Sequence, residues 1–308
     1  MTVPDTGPTM SGPDPAARGG RRRPTVATLT YRDGSTNPVR IYRGARAEAP
    51  CVILWPGLNV PAGYFDELAF GLVDAGYNAV ASEQRGQGDA RPEISASSDF
   101  GYQQMASEDY PSVSALVRQK FPAAKRIVLG HSMGGLLGSM YAARARQNIA
   151  GLILVASGTG YHRLEPPLSA MGRLIGTGVA ARTARVRGHW PGGLDGFGPQ
   201  ARGVIRDFDR LVRTGRFDVA GADIDYEARL ATLSTPVLAV SIAGDDTVSQ
   251  RQVHGLAEKF RAASVTERHV GEALGHNRWI LRPDVMVPVF DAWIRSEVLG
   301  HPPTDQHR

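Results

Sequence analysis

Short, continuously apolar runs recur along this chain, separated by segments with helical periodicity. Val52-Ile53-Leu54-Trp55 and Leu152-Ile153-Leu154-Val155 are the clearest. A strand with one face in water alternates apolar and polar side chains, whereas a strand covered on both faces has no need to. These uninterrupted runs therefore point to a parallel sheet enclosed between two layers of helices. The candidate strands are Val26–Tyr31, Val39–Tyr42, Cys51–Trp55, Asn78–Ser82, Arg126–Leu129, Leu152–Ala156, Val237–Ile242 and Val265–Val270. Helical patterns cover Tyr64–Ala75, Tyr110–Phe121, Ser132–Arg146, Gln250–Arg261 and a terminal stretch around Pro288–Leu299. Gly76 follows the first as a C-cap, Pro111 stands in the first turn of the second, and Pro122 lies just past its end. The alternation predicts an α/β fold: a mostly parallel sheet of eight strands flanked by helices.

One stretch breaks the alternation. Between Ala156 and Pro236 lie about 80 residues with helix-like pieces, a Gly-rich turn and scattered aromatics, but no buried strand. A structureless loop of that length is uncommon in a compact domain, so residues 157–235 are expected to form a helical cap over one end of the sheet. Its aromatics (Tyr161, Trp190, Phe197, Phe208) suit a hydrophobic pocket, although most are expected to form the cap's own core. The sheet and its helices then occupy residues 25–156 and 236–300. Residues 1–24 are rich in Pro, Gly, Thr and Arg, offer little to bury, and read with 301–308 as disordered tails.

Composition excludes several classes of function. With 308 residues, 42% hydrophobic and 21% charged, the chain can bury a large core without staples. The single cysteine, Cys51, rules out an intramolecular disulfide and any Cys-rich metal site. The net charge of +5 suggests nucleic-acid binding at first sight, but the four arginines and two aspartates of residues 1–24 account for +2 of it. The remaining arginines are scattered among acidic residues, and no groove-entering module is present, so no nucleic-acid partner is expected. No apolar run approaches the ~18 residues of a membrane span, and no apolar stretch follows the N-terminal arginines as a secretory leader requires. A cytoplasmic protein without a membrane partner is the expectation.

Chemistry enters at Gly130-His131-Ser132-Met133-Gly134. The pattern G-x-S-x-G is weak alone: 18 serines among 36 glycines give ~0.25 chance matches in a chain of this length. Its setting is specific, because it follows the apolar run Ile127-Val128-Leu129 and opens a helix rich in small residues. Strand, sharp turn and helix form the elbow that lifts a nucleophilic serine above the carboxyl edge of a sheet, and the glycines let strand and helix approach. Otherwise Ser132 would only cap the helix, with the glycines serving packing. A serine needs a base and an acid that orients the base, which in this fold follow in the order Ser, Asp or Glu, His. Asp245 and Asp246 come after the strand Val237–Ile242, and His276 lies in the loop beyond the last strand. Asp245 is favoured as the acid because Asp245-Asp246-Thr247-Val248 fits a loop whose valine turns back to the core, leaving Asp246 to cap the next helix or contact loop backbone. His254, His269, His162, His189 and His131 fall in helix, strand, cap or beside the serine and read as ordinary surface or core histidines. An oxyanion formed on the substrate needs two N–H donors. Met133, next after the serine, supplies one, and Leu58 in the turn Trp55-Pro56-Gly57-Leu58-Asn59 the other, unless that turn is an ordinary Pro-Gly bend.

These residues resemble the α/β-hydrolase superfamily, and within it bacterial hydrolases of the serine aminopeptidase and monoacylglycerol lipase-like group. The resemblance runs over most of residues 26–299 and rests on Gly130-His131-Ser132-Met133-Gly134-Gly135, the Pro-Gly turn, the aspartate loop and Gly275-His276. Gln84-Arg85-Gly86-Gln87-Gly88 matches the family's D-x-R-G-x-G loop, with Glu83 in place of the usual Asp, and Pro56 stands where a His often precedes the glycine. The resemblance implies a serine hydrolase in which Ser132 attacks a carbonyl, His276 is the general base, Asp245 orients it, and no metal or organic cofactor takes part. The implied substrate is a hydrophobic small molecule carrying an ester, thioester or lactone. An acyltransferase or cyclase with the same acyl-enzyme, and a non-hydrolytic binding protein on the scaffold, are the alternatives.

Overall fold

The computed structural model describes residues 23–145, 148–193 and 198–301. Nearly all of both segments read as tails, together with Phe197 and Arg146, lies outside the described residues. The strands are β1 (Thr25–Thr30), β2 (Thr36–Tyr42), β3 (Cys51–Trp55), β4 (Asn78–Ser82), β5 (Arg126–His131), β6 (Gly151–Val155), β7 (His189–Trp190), β8 (Gln200–Ala201), β9 (Val237–Ile242) and β10 (Val265–Val270). Eight of them form one sheet in the order β1-β2-β4-β3-β5-β6-β9-β10. Every pairing from β4 to β10 is parallel, and β2 alone runs against its two neighbours. β7 and β8 make a separate two-residue ladder.

The apolar runs lie at the centre of this sheet. β3, β4, β6 and β9 are buried along their whole length, while the edge strands β1 and β10 are half exposed. Successive side chains of a strand point to opposite faces, and each face here has its own core. Val52, Leu54, Ile127, Leu129, Ile153 and Val155 face one core; Ile53, Trp55, Val128, Leu152 and Leu154 face the other. The first is closed by α1 (Asp66–Asp74) and a terminal helix, the second by α3 (Tyr110–Lys120) and α4 (Met133–Arg144). One turn, α2 (Tyr102–Gln104), leads through a wider turn at Met105–Asp109 into α3.

Residues between β6 and β9 hold α5 (Pro167–Arg187), α6 (Arg202–Thr214) and α7 (Tyr226–Ala231). α5 and α6 pack through Ala180, Ala184 and Ile205, and the small alanines let the helices approach closely. After β9 come α8 (Gln250–Ala257), the short α9 (Gly275–Arg278) and the terminal helix α10 (Pro283–Trp293). α10 begins five residues before the sequence pattern suggested. Pro283 occupies its first turn, where a missing N–H costs nothing, and the helix continues through Pro288 because Met286, Val287, Phe290 and Trp293 bury one face. No helix among the described residues is long and apolar enough to cross a membrane.

Candidate active site

Ser132 is the single residue between β5 and α4, and its backbone is held at φ +53°, ψ −120°. That region is costly for any residue with a Cβ and persists only where surrounding contacts impose it. Those contacts are visible. The Ser132 N–H donates to Val155 C=O at 3.1 Å, and its C=O accepts from Gly135 N–H at 3.0 Å. A Cβ at Gly134 would strike the carbonyls of Trp55 and Pro56, and one at Gly135 would strike Ser157. The Ser132 hydroxyl makes no capping bond to α4. It points instead to His276, whose Nε2 lies 3.0 Å from Oγ.

His276 lies in α9, beyond the end of β10, and its Nδ1 is 2.9 Å from Asp245 Oδ2. The Asp245 carboxyl is 1% exposed, and its other oxygen accepts the Thr247 and Val248 N–H groups, each at 2.9 Å. Asp246, the neighbour weighed against it, is exposed, and among the described residues it meets only the Thr247 hydroxyl. The partners set the protons: a carboxylate opposite Nδ1 calls for Nδ1–H, which leaves Nε2 free to accept from the serine hydroxyl.

His131, which reads from the sequence as an ordinary histidine beside the serine, has a role of its own. It is fully buried, and its Nε2–H donates to the backbone carbonyl of His276 at 2.9 Å. The Trp279 indole N–H donates to the same oxygen at 3.0 Å. Burial, reinforced by the nearby charge of His276 when protonated, holds the His131 pKa well below the usual imidazole range, so it stays a neutral donor. Its position just before the serine was the only available signal. The other histidines lie away from the site: His254 pairs with Glu267 on the surface, His269 with Ser241, and His162 with Val212 C=O, while His189 lies in β7.

The turn after β3 borders the serine on its other side. Gln84 donates to Pro56 C=O at 2.8 Å, and Gln87 Oε1 accepts from Asn59 N–H at 2.7 Å. The Gln84–Gly88 loop thus grips this turn on both sides of Leu58. Neither the Leu58 nor the Met133 amide has a hydrogen-bond partner among the described residues, and both residues border a cavity of about 140 Å³ above Ser132. Leu136 lines it from below; Ala180 of α5 and Ile205 and Phe208 of α6 line it from the other side. Trp190 also reaches it, whereas Tyr161 packs against His162.

Similarity to known proteins agrees with this architecture. Est1E from Butyrivibrio proteoclasticus, with ferulic acid bound, superposes with a TM-score of 0.62 at 13% identity, covering 89% of this chain and 100% of that one. A thermophilic esterase from Thermogutta terrifontis gives 0.58 at 17%, covering 89% and 99%. The esterase RhEst1 from Rhodococcus sp. ECU1013 gives 0.56 at 17%, covering 88% and 99%. At such identities the likeness establishes the α/β-hydrolase fold. Residues 47–278 match the model of the family described as serine aminopeptidase, S33. Three-quarters of the sequence thus lies within that model, and the chain belongs to the serine aminopeptidase (S33) family of α/β-hydrolase-fold serine hydrolases.

Proposed function

We propose that the protein hydrolyses esters of small, largely apolar molecules through an acyl-enzyme on Ser132. The observation that carries this reading is the unbroken run Ser132–His276–Asp245, with steps of 3.0 and 2.9 Å, at the floor of an apolar cavity. His276 takes the hydroxyl proton as Ser132 Oγ bonds to the carbonyl carbon, and Asp245 holds the imidazole's tautomer and offsets its charge. The Leu58 and Met133 N–H groups receive the oxyanion. His276 then returns the proton to the departing alkoxide, and water repeats the cycle on the acyl-enzyme.

Two features narrow the substrate. Among the described residues no carboxylate lines the cavity, which leaves the ammonium of a peptide N-terminus without a counter-charge and favours esters over an aminopeptidase substrate. A volume of about 140 Å³ is close to that of cavities that admit one benzene-sized molecule, so groups of about six heavy atoms fit. The test is labelling by a fluorophosphonate probe, followed by turnover of p-nitrophenyl esters of graded chain length. Labelling of the wild type and none of Ser132→Ala, with turnover highest for short chains, is expected. An unlabelled wild type that turns over no ester refutes the reading.

A further inference from the structure

Exposed apolar side chains are concentrated on one helix. Among the described residues seven large hydrophobic side chains are exposed, and five of them, Leu168, Met171, Ile175, Val179 and Val186, belong to α5. These five are 54–78% exposed. Apolar residues scattered singly over a surface are ordinary, whereas a contiguous set marks a place of contact. At about 100° per residue the five fall within an arc of ~80°, a stripe that runs ~27 Å along the helix. The other side of α5 is occupied: Ala180 and Ala184 pack on Ile205 of α6, and Thr177 and Ala180 line the cavity over Ser132. The stripe therefore serves neither the core nor the cavity.

The same helix is basic. Residues 167–187 include Arg173, Arg182, Arg185 and Arg187, and no aspartate or glutamate. Arg182 falls inside the arc of the stripe and Arg185 at its margin. With Arg202 and Arg206 of α6 they wall an open groove in which Val186 also lies. Arg202 is paired with Asp99 and Arg206 with Asp207, whereas Arg182, Arg185 and Arg187 have no acidic partner among the described residues.

We propose that α5 docks flat on the surface of an anionic lipid bilayer, with the stripe set between the headgroups and Arg182 and Arg185 against their phosphates. Apolar side chains leave water there, and the guanidinium groups meet negative charge, so the two features act together. The helix does not cross the bilayer, since none among the described residues is long and apolar enough. Lying flat requires neither a span nor a leader, the two features on whose absence the expectation of no membrane partner rests. A second copy of the chain is a poorer occupant, because it sets one wholly basic α5 against another. A folded acidic protein needs a preformed groove for a convex helix face, whereas fluid lipid needs none. Docking in this pose sets the helix that borders the cavity against the bilayer, but it depends on the outer face of α5 alone and not on the esterase reading.

The test is flotation of the full chain with vesicles of phosphatidylcholine alone and of an equimolar mixture of phosphatidylcholine and phosphatidylglycerol. Binding to the mixed vesicles is expected, at least about tenfold tighter than to phosphatidylcholine and weakened by added salt. Ile175→Ser with Val179→Ser, and Arg182→Gln with Arg185→Gln, should each lower the affinity by about tenfold or more. All four side chains are exposed, so both variants should keep the wild-type melting temperature, and the comparison of the two vesicles by the wild type stands without them. No flotation with either vesicle, which leaves the stripe to a protein partner, overturns the proposal. Equal binding to both compositions, or unchanged binding in either folded variant, does the same. So does a dimer in light scattering that Ile175→Ser with Val179→Ser turns into monomer, because a second copy then covers the stripe. Labelling of Ser132 tests the esterase reading separately, whichever of these results is found.

Discussion

Replacing Ser132 by glycine and by alanine separates strain from chemistry at the same atom. Both variants lose the hydroxyl and its 3.0 Å contact with His276, so they differ only in what the backbone tolerates. Holding a residue with a Cβ at φ +53° costs about 1–3 kcal/mol, and glycine escapes that cost. Glycine also loses more freedom on folding, an offset of about 0.5–1 kcal/mol. The difference leaves Ser132→Gly more stable than Ser132→Ala by ~0.5–2 kcal/mol. Unfolding entropies of about 2.1 cal/mol/K per residue scale to ~0.6 kcal/mol/K over 308 residues, so the gap should appear as ~1–3 °C in calorimetry. The comparison with wild type distinguishes this account from ordinary helix capping. A capping serine loses about 0.5–2 kcal/mol on going to alanine and a few tenths to glycine, which ranks both variants below wild type. Strain predicts a glycine variant at or above wild type. A melting order of wild type, glycine, alanine, or a glycine variant no more stable than alanine, refutes the reasoning.

Asp245→Asn should lower kcat by about 10⁴-fold, since the amide favours the wrong imidazole tautomer, whereas Asp246→Asn should stay within a few-fold; p-nitrophenyl ester kinetics distinguish them. His131 is neutral when folded but takes a proton near pH 6.5 when unfolded, so its contribution to stability is present above that pH and lost as pH falls below it, by up to ~1.4 kcal/mol per unit. Urea unfolding between pH 5 and 8 should show a shallower acid slope in His131→Gln, which keeps an N–H for the His276 carbonyl. Burial, with help from Asp89, pushes Glu83 up to about 7. Its contribution is therefore intact below about pH 4.5 and lost as pH rises through about 7, a change on the order of 3 kcal/mol that Glu83→Gln should abolish in the same titration.

What the sequence disclosed, and what it withheld, follows from how local each signal is. Cys51–Trp55, Asn78–Ser82 and Val237–Ile242 were legible to the residue, because a strand buried on both faces states its burial in its own composition. β2 begins three residues before the apolar pattern, at Thr36, because Thr36-Asn37-Pro38 pair with β1 through backbone groups that the hydropathy of side chains does not report. The elbow was readable since its geometry is enforced by glycines beside the serine. His131 was not, because its role depends on a carbonyl 145 residues away. Arg173 was silent for the same reason: it meets Glu165 and Thr247, and no local pattern records a partner in another segment.

That asymmetry has a consequence for how the site is held. Each of the three loops converging on the cavity is fixed on its non-reacting side by side chains that themselves react with nothing. The His276 carbonyl is held by His131 and Trp279. The Pro56–Asn59 turn is held by Gln84 and Gln87, and Gln87 in turn donates to Gln200 in β8. The loop carrying Asp245 is held at Thr247 by Arg173 of α5. Two of the three braces therefore end in the segment between β6 and β9, which makes that segment part of what keeps donors and acceptors aimed before substrate arrives. Preorganisation of this kind contributes to rate only while the braces hold. Substitutions at Gln200 or Arg173, remote from the scissile bond, should therefore register in kcat.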